Sequence, residues 1–220
     1  MAPNRARALP RGPHRLSREE VEQSQRFRLL TAMTEAVAEK GFANTVVADV
    51  VSRSGVSRAT FYKMFRDKED CFQAAFEMNA ALVARFMEMG LEQLIEDETA
   101  GPFEKLERVL NLYIDAVASN PAAARVFLVE VYAAGPEVIA RRRASLDRFV
   151  DIVAATHAGR PGLLGTDKRQ RFAAEMIVHA VSSAVTNIVG VGDMDRLQEL
   201  RRDLIDLARQ VAALGAGGPG

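Results

Sequence analysis

The chain has 220 residues, of which 48% are hydrophobic and 26% are charged, and its formal net charge at pH 7 is zero. These values are ordinary for a globular protein with one large domain, or with a small domain joined to a larger one. No apolar run approaches the roughly 20 residues of a membrane span, and the amino terminus lacks the apolar core of a secretory signal. The single cysteine, Cys71, cannot form an internal disulfide. We therefore expect a cytoplasmic protein without a membrane partner.

The charge is divided unevenly along the chain. Residues 1–70 carry 13 Lys and Arg against 9 Asp and Glu, a net of +4, so the other 150 residues carry 16 against 20, a net of −4. Five arginines and no acidic residue fall within the first 18 positions. A basic head on an acidic body indicates a polyanionic partner for the head. Residues 1–16, with three prolines and a glycine, are predicted to be a disordered basic tail.

The first predicted helix begins at a capping box, in which Ser17 is the N-cap and Glu20 follows three residues later. It ends near Lys40, where Gly41 is expected to form a left-handed cap. Its apolar face is marked by spacings of three and four residues, at Phe27, Leu30, Thr34 and Val37.

Two short helices are predicted next, on either side of Gly55. Valines 47, 50 and 51 share one face of the first, although β-branched residues also permit a strand. Ser57 can cap the second, "RATFYKMF", which is too short to be stable alone. Two short helices joined by a tight glycine-containing turn form a helix-turn-helix. Asp67 then caps a long fourth helix.

The remainder of the chain is predicted to be helical, and the fold class to be all-α with about nine helices. Helix breaks fall at Asn120–Pro121, at Gly135–Pro136 and in a glycine-rich loop over residues 157–167. The last two helices are predicted at about Lys168–Val189 and Asp195–Leu214. The predicted domains are residues 17–66 (helix-turn-helix), 67–214 (ligand binding and dimerisation) and 215–220 (a flexible tail).

The segment "GFANTVVADVVSRSGVSRATFYKMFRDKEDCF" resembles the DNA-binding domain of the TetR family of bacterial repressors. The resemblance covers about residues 20–75, and beyond it only length, helicity and helix breaks agree. Its elements are Gly41–Phe42, Gly55–Val56–Ser57, Thr60 with Tyr62, Phe65, and Asp67–Lys68–Glu69. The resemblance implies a homodimer that binds a palindromic operator in double-stranded DNA and is released by a small molecule.

The recognition helix supplies most of the predicted DNA contacts. Val56, Phe61 and Phe65 are expected to hold it in place. Its N-terminal residues would enter the major groove, where Arg58 suits guanine O6 and N7. Lys68 breaks the charge preference of a helix N-terminus, which a docked phosphate would explain, although an exposed lysine there costs little. The residues predicted to contact DNA are Thr45, Ser57, Arg58, Ala59, Thr60, Tyr62, Lys63 and Lys68, with Thr45 replacing a hydroxyl that the family often has at position 46.

The last two helices are predicted to pair with their copies as a four-helix bundle, as the resemblance implies. The predicted interface is Ala173, Ile177, Ala180, Ala184, Ile188, Leu197, Leu200, Leu204, Leu207 and Val211. Along the first of these helices His179, Ser183 and Asn187 form a polar line, suited either to hydrogen bonds across a dimer or to a pocket.

An effector pocket is predicted in the larger domain, with no cofactor and no metal. The candidate lining residues are Met78, Asn79, Phe86, Tyr113, Phe127, Tyr132, Met176 and His179, each of which also suits a plain core or interface. The alternatives to a ligand-responsive repressor are a ligand-independent or architectural DNA-binding protein and, with no supporting motif, an enzyme. Cys71, near a helix N-terminus, could also sense oxidants if its pKa were lowered.

Overall fold

A computed structural model describes residues 17–95, 99–155 and 167–216. These residues form nine α-helices and one short 3₁₀ helix, without a strand among them, which confirms the all-α class. The helices are α1 (Arg18–Lys40), α2 (Val47–Ser54), α3 (Arg58–Met64), α4 (Lys68–Ile95), α5 (Pro102–Ser119), α6 (Pro121–Leu128), the 3₁₀ helix (Glu130–Ala133), α7 (Pro136–Ala155), α8 (Asp167–Val191) and α9 (Arg196–Ala216). The predicted basic tail, the loop before Asp167 and residues 217–220 lie outside the described residues.

The described chain divides into two compact units between Met78 and Asn79. This point lies within α4, about three helical turns beyond the predicted boundary at residue 67. The difference arises because Phe72 and Phe76 on the first turns of α4 are buried in the aromatic core of the amino-terminal unit. A helix can therefore contribute its two ends to different cores.

The amino-terminal unit begins with the predicted capping box. The Ser17 hydroxyl accepts the Glu20 N–H at 3.2 Å, and the Glu20 carboxylate accepts the Ser17 N–H at 2.7 Å. Gly41 ends α1 with a positive φ of 79°, but its ψ of 155° is not that of a left-handed helical cap. Phe42 then turns inward, with its ring 4.6 Å from that of Phe72.

The buried face of α1 differs in one position from its prediction. Leu30, Thr34 and Val37 are buried, and the Thr34 hydroxyl donates to the Leu30 carbonyl at 3.0 Å. Phe27, however, is 53% exposed. Arg26 covers that end of the core instead, with its guanidinium 4.8 Å from the centre of the Phe65 ring. The apolar face of α1 therefore extends beyond the part of the helix that is buried in the core.

The second unit contains the rest of α4 and helices α5 to α9. Its valine-rich core cluster is contributed by α5, α7 and α8 and consists of Val109, Val150, Val153, Ala174 and Val178. Helix α9 packs on α5, and ion pairs join Arg201 to Asp115 and Arg209 to Glu107.

Helix α8 is more apolar than the sequence reading allowed. By length and composition Lys168–Val191 could cross a membrane, with 33% of its most apolar window buried inside the chain. This corrects the expectation that no segment approaches the composition of a span. The core helix of a protein that lies outside a membrane can have the same length and composition.

Candidate DNA-contacting surface and ligand cavities

The turn between α2 and α3 has the backbone geometry of a tight helix-helix connection. Gly55 lies in the left-handed region, with φ 64° and ψ 22°, where a side chain is strained. Ser57 then caps α3 as predicted, and its hydroxyl accepts the Thr60 N–H at 3.1 Å. Val56, Phe61 and Phe65 are all buried, so three apolar anchors fix the seven residues of α3.

The opposite face of α3 is open to solvent. Arg58, Ala59 and Lys63 are exposed there, and Tyr62 is 48% exposed. The Arg58 guanidinium lies 3.5 Å from the Tyr62 hydroxyl and 5.6 Å from the centre of its ring. The structure therefore brings together the predicted residues of the recognition helix, including the half-buried Thr60.

Arg58 differs from its basic neighbours in having no acidic partner among the described residues. Arg53 pairs with Glu35 and Glu39, and Lys63 lies 3.7 Å from Glu22. The Arg58 guanidinium can thus bind an external acceptor without first leaving an acidic partner.

The predicted role of Thr45 is wrong. Its side chain is fully buried, and its hydroxyl donates to the Gly41 carbonyl at 2.8 Å, so it neither caps α2 nor faces solvent. Val46 occupies the N-cap position, and the Asp49 carboxylate accepts the Val46 N–H at 3.0 Å. The hydrogen bond from Lys40, followed by that from Val46, lowers the pKa of Asp49. The acidic residue three positions after the N-cap is the sequence signal that indicates this hydrogen bond.

Lys68 has partners within its own unit. Its ammonium donates to the Phe42 carbonyl at 3.0 Å and lies 4.3 Å from the centre of the Phe42 ring. These contacts explain why a cation is tolerated at the start of α4. Asp67 caps this helix as predicted and accepts the Asp70 N–H at 2.8 Å. An ammonium has three donors, so phosphate contact by Lys68 stays a prediction.

Two cavities lie in the second unit. The first, between α5, α6, α7 and α8, encloses about 540 Å³ of space free of protein atoms, including the part open to solvent. Its walls are almost entirely aliphatic and aromatic: Leu106, Val109, Leu110, Tyr113, Phe127, Leu146, Phe149, Val153, Ile177, Val178, Val181 and Ser182.

The second cavity, between α4, α5 and α6, encloses about 780 Å³ by the same measure. Its lining adds polar residues at Asn79, Ser119 and Asn120. Tyr113 and Phe127 line both cavities, so these two rings stand where one cavity borders the other.

Four of the eight predicted ligand residues line these cavities: Asn79, Phe86, Tyr113 and Phe127. The other four do not. Met78 belongs to the amino-terminal unit, Tyr132 is 57% exposed, and Met176 and His179 are exposed on α8. On α8 it is Ile177, Val178, Val181 and Ser182 that face the first cavity, because they lie about a quarter-turn away on the same helix.

A polar cluster that the sequence reading missed lies beside the first cavity. Arg142 is 5% exposed and donates to the Phe127 carbonyl at 3.1 Å and to the Ser182 hydroxyl at 3.2 Å. Burial raises the pKa of Tyr113 to about 12, although the Arg142 charge and a hydrogen bond with Ser182 act against the rise. Three consecutive arginines, 141 to 143, gave no sign that the middle one points inward.

The outer face of α8 is apolar and exposed. It carries Phe172 (60% exposed), Met176 (47%) and Val191 (78%), and the polar line of His179, Ser183 and Asn187 is exposed on it as well. The predicted dimer interface did not include these three apolar residues.

Several predicted interface residues are used inside the chain instead. Ile188 and Leu197 are buried and Ile177 lines a cavity, whereas Ala180 and Leu207 are exposed. Ala173, Ala184, Leu200 and Leu204 are half-buried, and the Val211 side chain lies outside the described residues. Since α9 packs on α5, one face of α9 already has a partner within the chain.

Cys71 does not have the environment of a redox sensor. It is fully buried, and burial raises the pKa of its thiol to about 12, the opposite of the shift that the sequence reading considered. No group of three or more His, Cys, Asp or Glu residues suited to a metal ion occurs in the part of the chain that the structure describes.

Comparison with known proteins gives one family. The model of "Bacterial regulatory proteins, tetR family" matches residues 29–75, which contain the capped turn and the exposed face of α3. A curated relative, the fatty acid metabolism regulator protein of Bacillus subtilis, is 24% identical over 194 residues, which are 87% of this chain and 94% of the relative.

Solved structures share the fold along most of the chain. FadR of Bacillus halodurans, a fatty acid degradation regulator, aligns with a TM-score of 0.68 and 20% identity, over 91% of this chain and 96% of that one. FadR of B. subtilis, in complex with stearoyl-CoA, aligns with a TM-score of 0.67 and 23% identity, over 83% and 96%. The amino-terminal part of the chain is thus similar to the bacterial regulatory proteins of the tetR family, and most of the chain shares the fold of these solved regulators.

Proposed function

We propose that the chain is a cytoplasmic, homodimeric repressor that binds a palindromic operator and leaves it when an acyl compound enters the second unit. The observation that carries the DNA-binding part is the exposed Arg58 guanidinium, which has no acidic partner among the described residues and stands at the first turn of a capped, apolar-anchored α3. No catalytic step forms part of this proposal.

On the operator, α3 enters the major groove with its N-terminal residues towards base edges. Arg58 binds a guanine through O6 and N7, and the small Ala59 and half-buried Thr60 permit close approach. Tyr62, Lys63 and Ser57 approach phosphates, as does Lys68 through the donors that Phe42 leaves. The buried Thr45 takes no part.

Dimerisation uses the outer face of α8. Phe172, Met176 and Val191 are large apolar side chains exposed on one helix, and covering them with a second copy removes this surface from water. A two-fold axis then places two recognition helices one DNA turn apart, at about 34 Å, which is why the operator should be palindromic.

The effector is assigned from the cavities together with the relatives. Two adjoining cavities with mostly apolar walls suit a long hydrocarbon chain. The curated relative is a regulator of fatty acid metabolism, and a solved relative was captured with stearoyl-CoA. Helix α4 lines the second cavity from Asn79 onward and reaches back to Lys68, so a ligand that shifts α4 can alter the spacing of the two recognition helices.

The test begins with selection of bound fragments from random duplex DNA, using the wild type and Arg58→Ala in parallel. We expect a palindrome from the wild type that Arg58→Ala does not enrich. The wild-type complex with that palindrome is then titrated with dodecanoate, dodecan-1-ol and dodecanoyl-CoA. Release by dodecanoate or dodecanoyl-CoA supports the acyl-responsive repressor, whereas release by dodecan-1-ol alone indicates a response to the hydrocarbon chain only. A palindrome that none of them releases would leave a DNA-binding protein without acyl control.

A further inference from the structure

The two cavities of the second unit differ in the surface that they expose. The first exposes apolar surface alone, and each of its lining residues is buried or half-buried. The second exposes polar as well as apolar surface, and its lining includes four solvent-exposed residues: Leu82, Phe86, Ser119 and Asn120. Among the described residues, no charged one lines either cavity. A molecule with a polar end and a hydrocarbon chain should therefore enter through the second cavity, with its chain pointing inwards.

The border between the cavities is formed by one residue of α5 and one of α6. Tyr113 and Phe127 line both cavities, whereas every other lining residue belongs to one cavity alone. Tyr113 is half-buried, and Phe127 is only 7% exposed. A hydrocarbon chain that fills the second cavity must therefore pass these two residues to reach the first.

Both border residues are held by further contacts. Arg142 donates to the Phe127 carbonyl at 3.1 Å, and its guanidinium lies 5.6 Å from the centre of the Phe127 ring. The Tyr113 ring packs edge-on against Phe149, with 6.0 Å between the ring centres. Close-packed rings resist displacement, so a ligand that moves them must offset the cost of doing so.

This cost makes affinity depend on chain length in two stages. Each methylene that leaves water for an apolar site lowers the Kd about fourfold. Carbons that fill the second cavity bring this gain, and so do carbons that lie in the first. Carbons that reach only as far as the border have to displace its rings, so the gain is interrupted there.

Resting on the proposed acyl-responsive function, we propose that Tyr113 and Phe127 form a passage that selects the effector by its chain length. Short acyl chains stay in the second cavity, and only longer chains pass between the two residues and also occupy the first. The effector is thus a long-chain acyl compound whose polar end lies at the second cavity. Tyr113 and Phe127 determine this specificity by separating the two spaces.

The experiment measures affinity as a function of chain length with the full-length protein. Calorimetry gives the Kd of the even-numbered carboxylates from hexanoate to hexadecanoate and of their CoA thioesters. The proteins are the wild type, Phe127→Ala and the control Phe86→Ala. The control removes the same aromatic ring from a residue that lines the second cavity alone.

The wild type should show a decrease in Kd, then an interval of chain lengths without further gain, and then a renewed decrease of about fourfold per methylene. In Phe127→Ala the interval should disappear, because the passage is open. In Phe86→Ala the Kd should rise at every length while the interval stays where it is in the wild type. If Phe127→Ala does not fold, Tyr113→Leu decides in the same way.

A second pair of variants tests the order in which the cavities are filled. Val178 and Val117 are both buried, and each lines one cavity alone, the first and the second respectively. Val178→Phe narrows the first cavity, so it should raise the Kd only of chains longer than the interval. Val117→Phe narrows the second cavity and should raise the Kd at every length. The reverse pattern would overturn the proposed order.

Failure of the passage is distinguishable from failure of the proposed function. An uninterrupted decrease of Kd in the wild type, a decrease that never resumes, or an unchanged interval in Phe127→Ala would overturn the passage. Each of these results keeps an acyl-responsive repressor, provided that one of the acyl compounds releases the operator. If no compound of either series binds the protein or releases the operator, both proposals are overturned.

Discussion

Replacement of Arg58 by alanine is the most direct test of the DNA-contacting surface. The Arg58 side chain is exposed at the first turn of α3 and has Tyr62, at 3.5 Å, as its hydrogen-bond partner. The substitution therefore disturbs little of the fold. Arg53→Ala is the matched control, because it removes the same charge from the neighbouring helix, where Glu35 and Glu39 already neutralise it.

The expected loss is large and depends on DNA sequence. A bidentate arginine–guanine contact is worth about 1–3 kcal/mol, and a dimer makes two of them, so Arg58→Ala should cost about 2–6 kcal/mol on the selected palindrome. That is roughly a 30-fold to 20,000-fold increase in Kd. On a scrambled duplex, Arg58→Ala and Arg53→Ala should each lose only the binding free energy of one charge per protomer, and salt screens this contribution.

The assay is fluorescence polarisation with the palindrome and the scrambled duplex, each at several salt concentrations. The quantity of interest is the ratio of the two Kd values, which cancels the general effect of charge. We expect the ratio to collapse in Arg58→Ala and to stay at the wild-type value in Arg53→Ala. Equal losses on both duplexes, or the same ratio in the two variants, would refute base contact by Arg58.

Three further predictions concern the dimer, the cap of α3 and the cysteine. Met176→Arg, on the exposed face of α8, should yield monomers in light scattering and abolish operator binding. The control Ala144→Arg, on the exposed surface of α7, should leave a dimer. If both variants were dimers, the proposed interface would be ruled out. Ser57→Ala should lower the free energy of unfolding in urea by about 1 kcal/mol, because the Thr60 N–H loses its acceptor. The control Ser52→Ala, at an exposed position of α2, should change this free energy by less than about 0.5 kcal/mol. Equal effects of the two substitutions would contradict the capping role. Cys71, buried and with a pKa of about 12, should react with a thiol reagent at pH 7 only as fast as the chain opens, and labelling as fast as in urea would show that the thiol is accessible.

Local signals in the sequence were sufficient for the helix-turn-helix. The Ser17–Glu20 capping box, the positive φ of Gly55 and the caps at Ser57 and Asp67 depend on residues no more than four positions apart. Such hydrogen bonds form in the same way wherever the helix lies, so pattern and spacing predict them. The burial of Val56, Phe61 and Phe65 was also predicted correctly, because α3 is so short that it has a single apolar face.

The predictions from sequence were wrong where a helix has two apolar faces, or where the partner of a polar side chain lies far away along the chain. On α8 the periodicity did not distinguish the face lining the first cavity, with Ile177 and Ser182, from the outer face with Met176 and His179. On α1 it did not show where the core ended, so Phe27 was assigned to the interior.

The sequence by itself determined the helical class, the family of the amino-terminal unit and the residues that α3 exposes, because these depend on short-range periodicity and caps. Only the tertiary structure decided which groups become buried together. Lys68 meets Phe42 across 26 positions, and Arg142 meets Ser182 across 40. The packing of α5 to α8 brings Arg142 beside a cavity without an acid, and since charge compensation in an interior depends on three-dimensional neighbours, no spacing along the chain could reveal it.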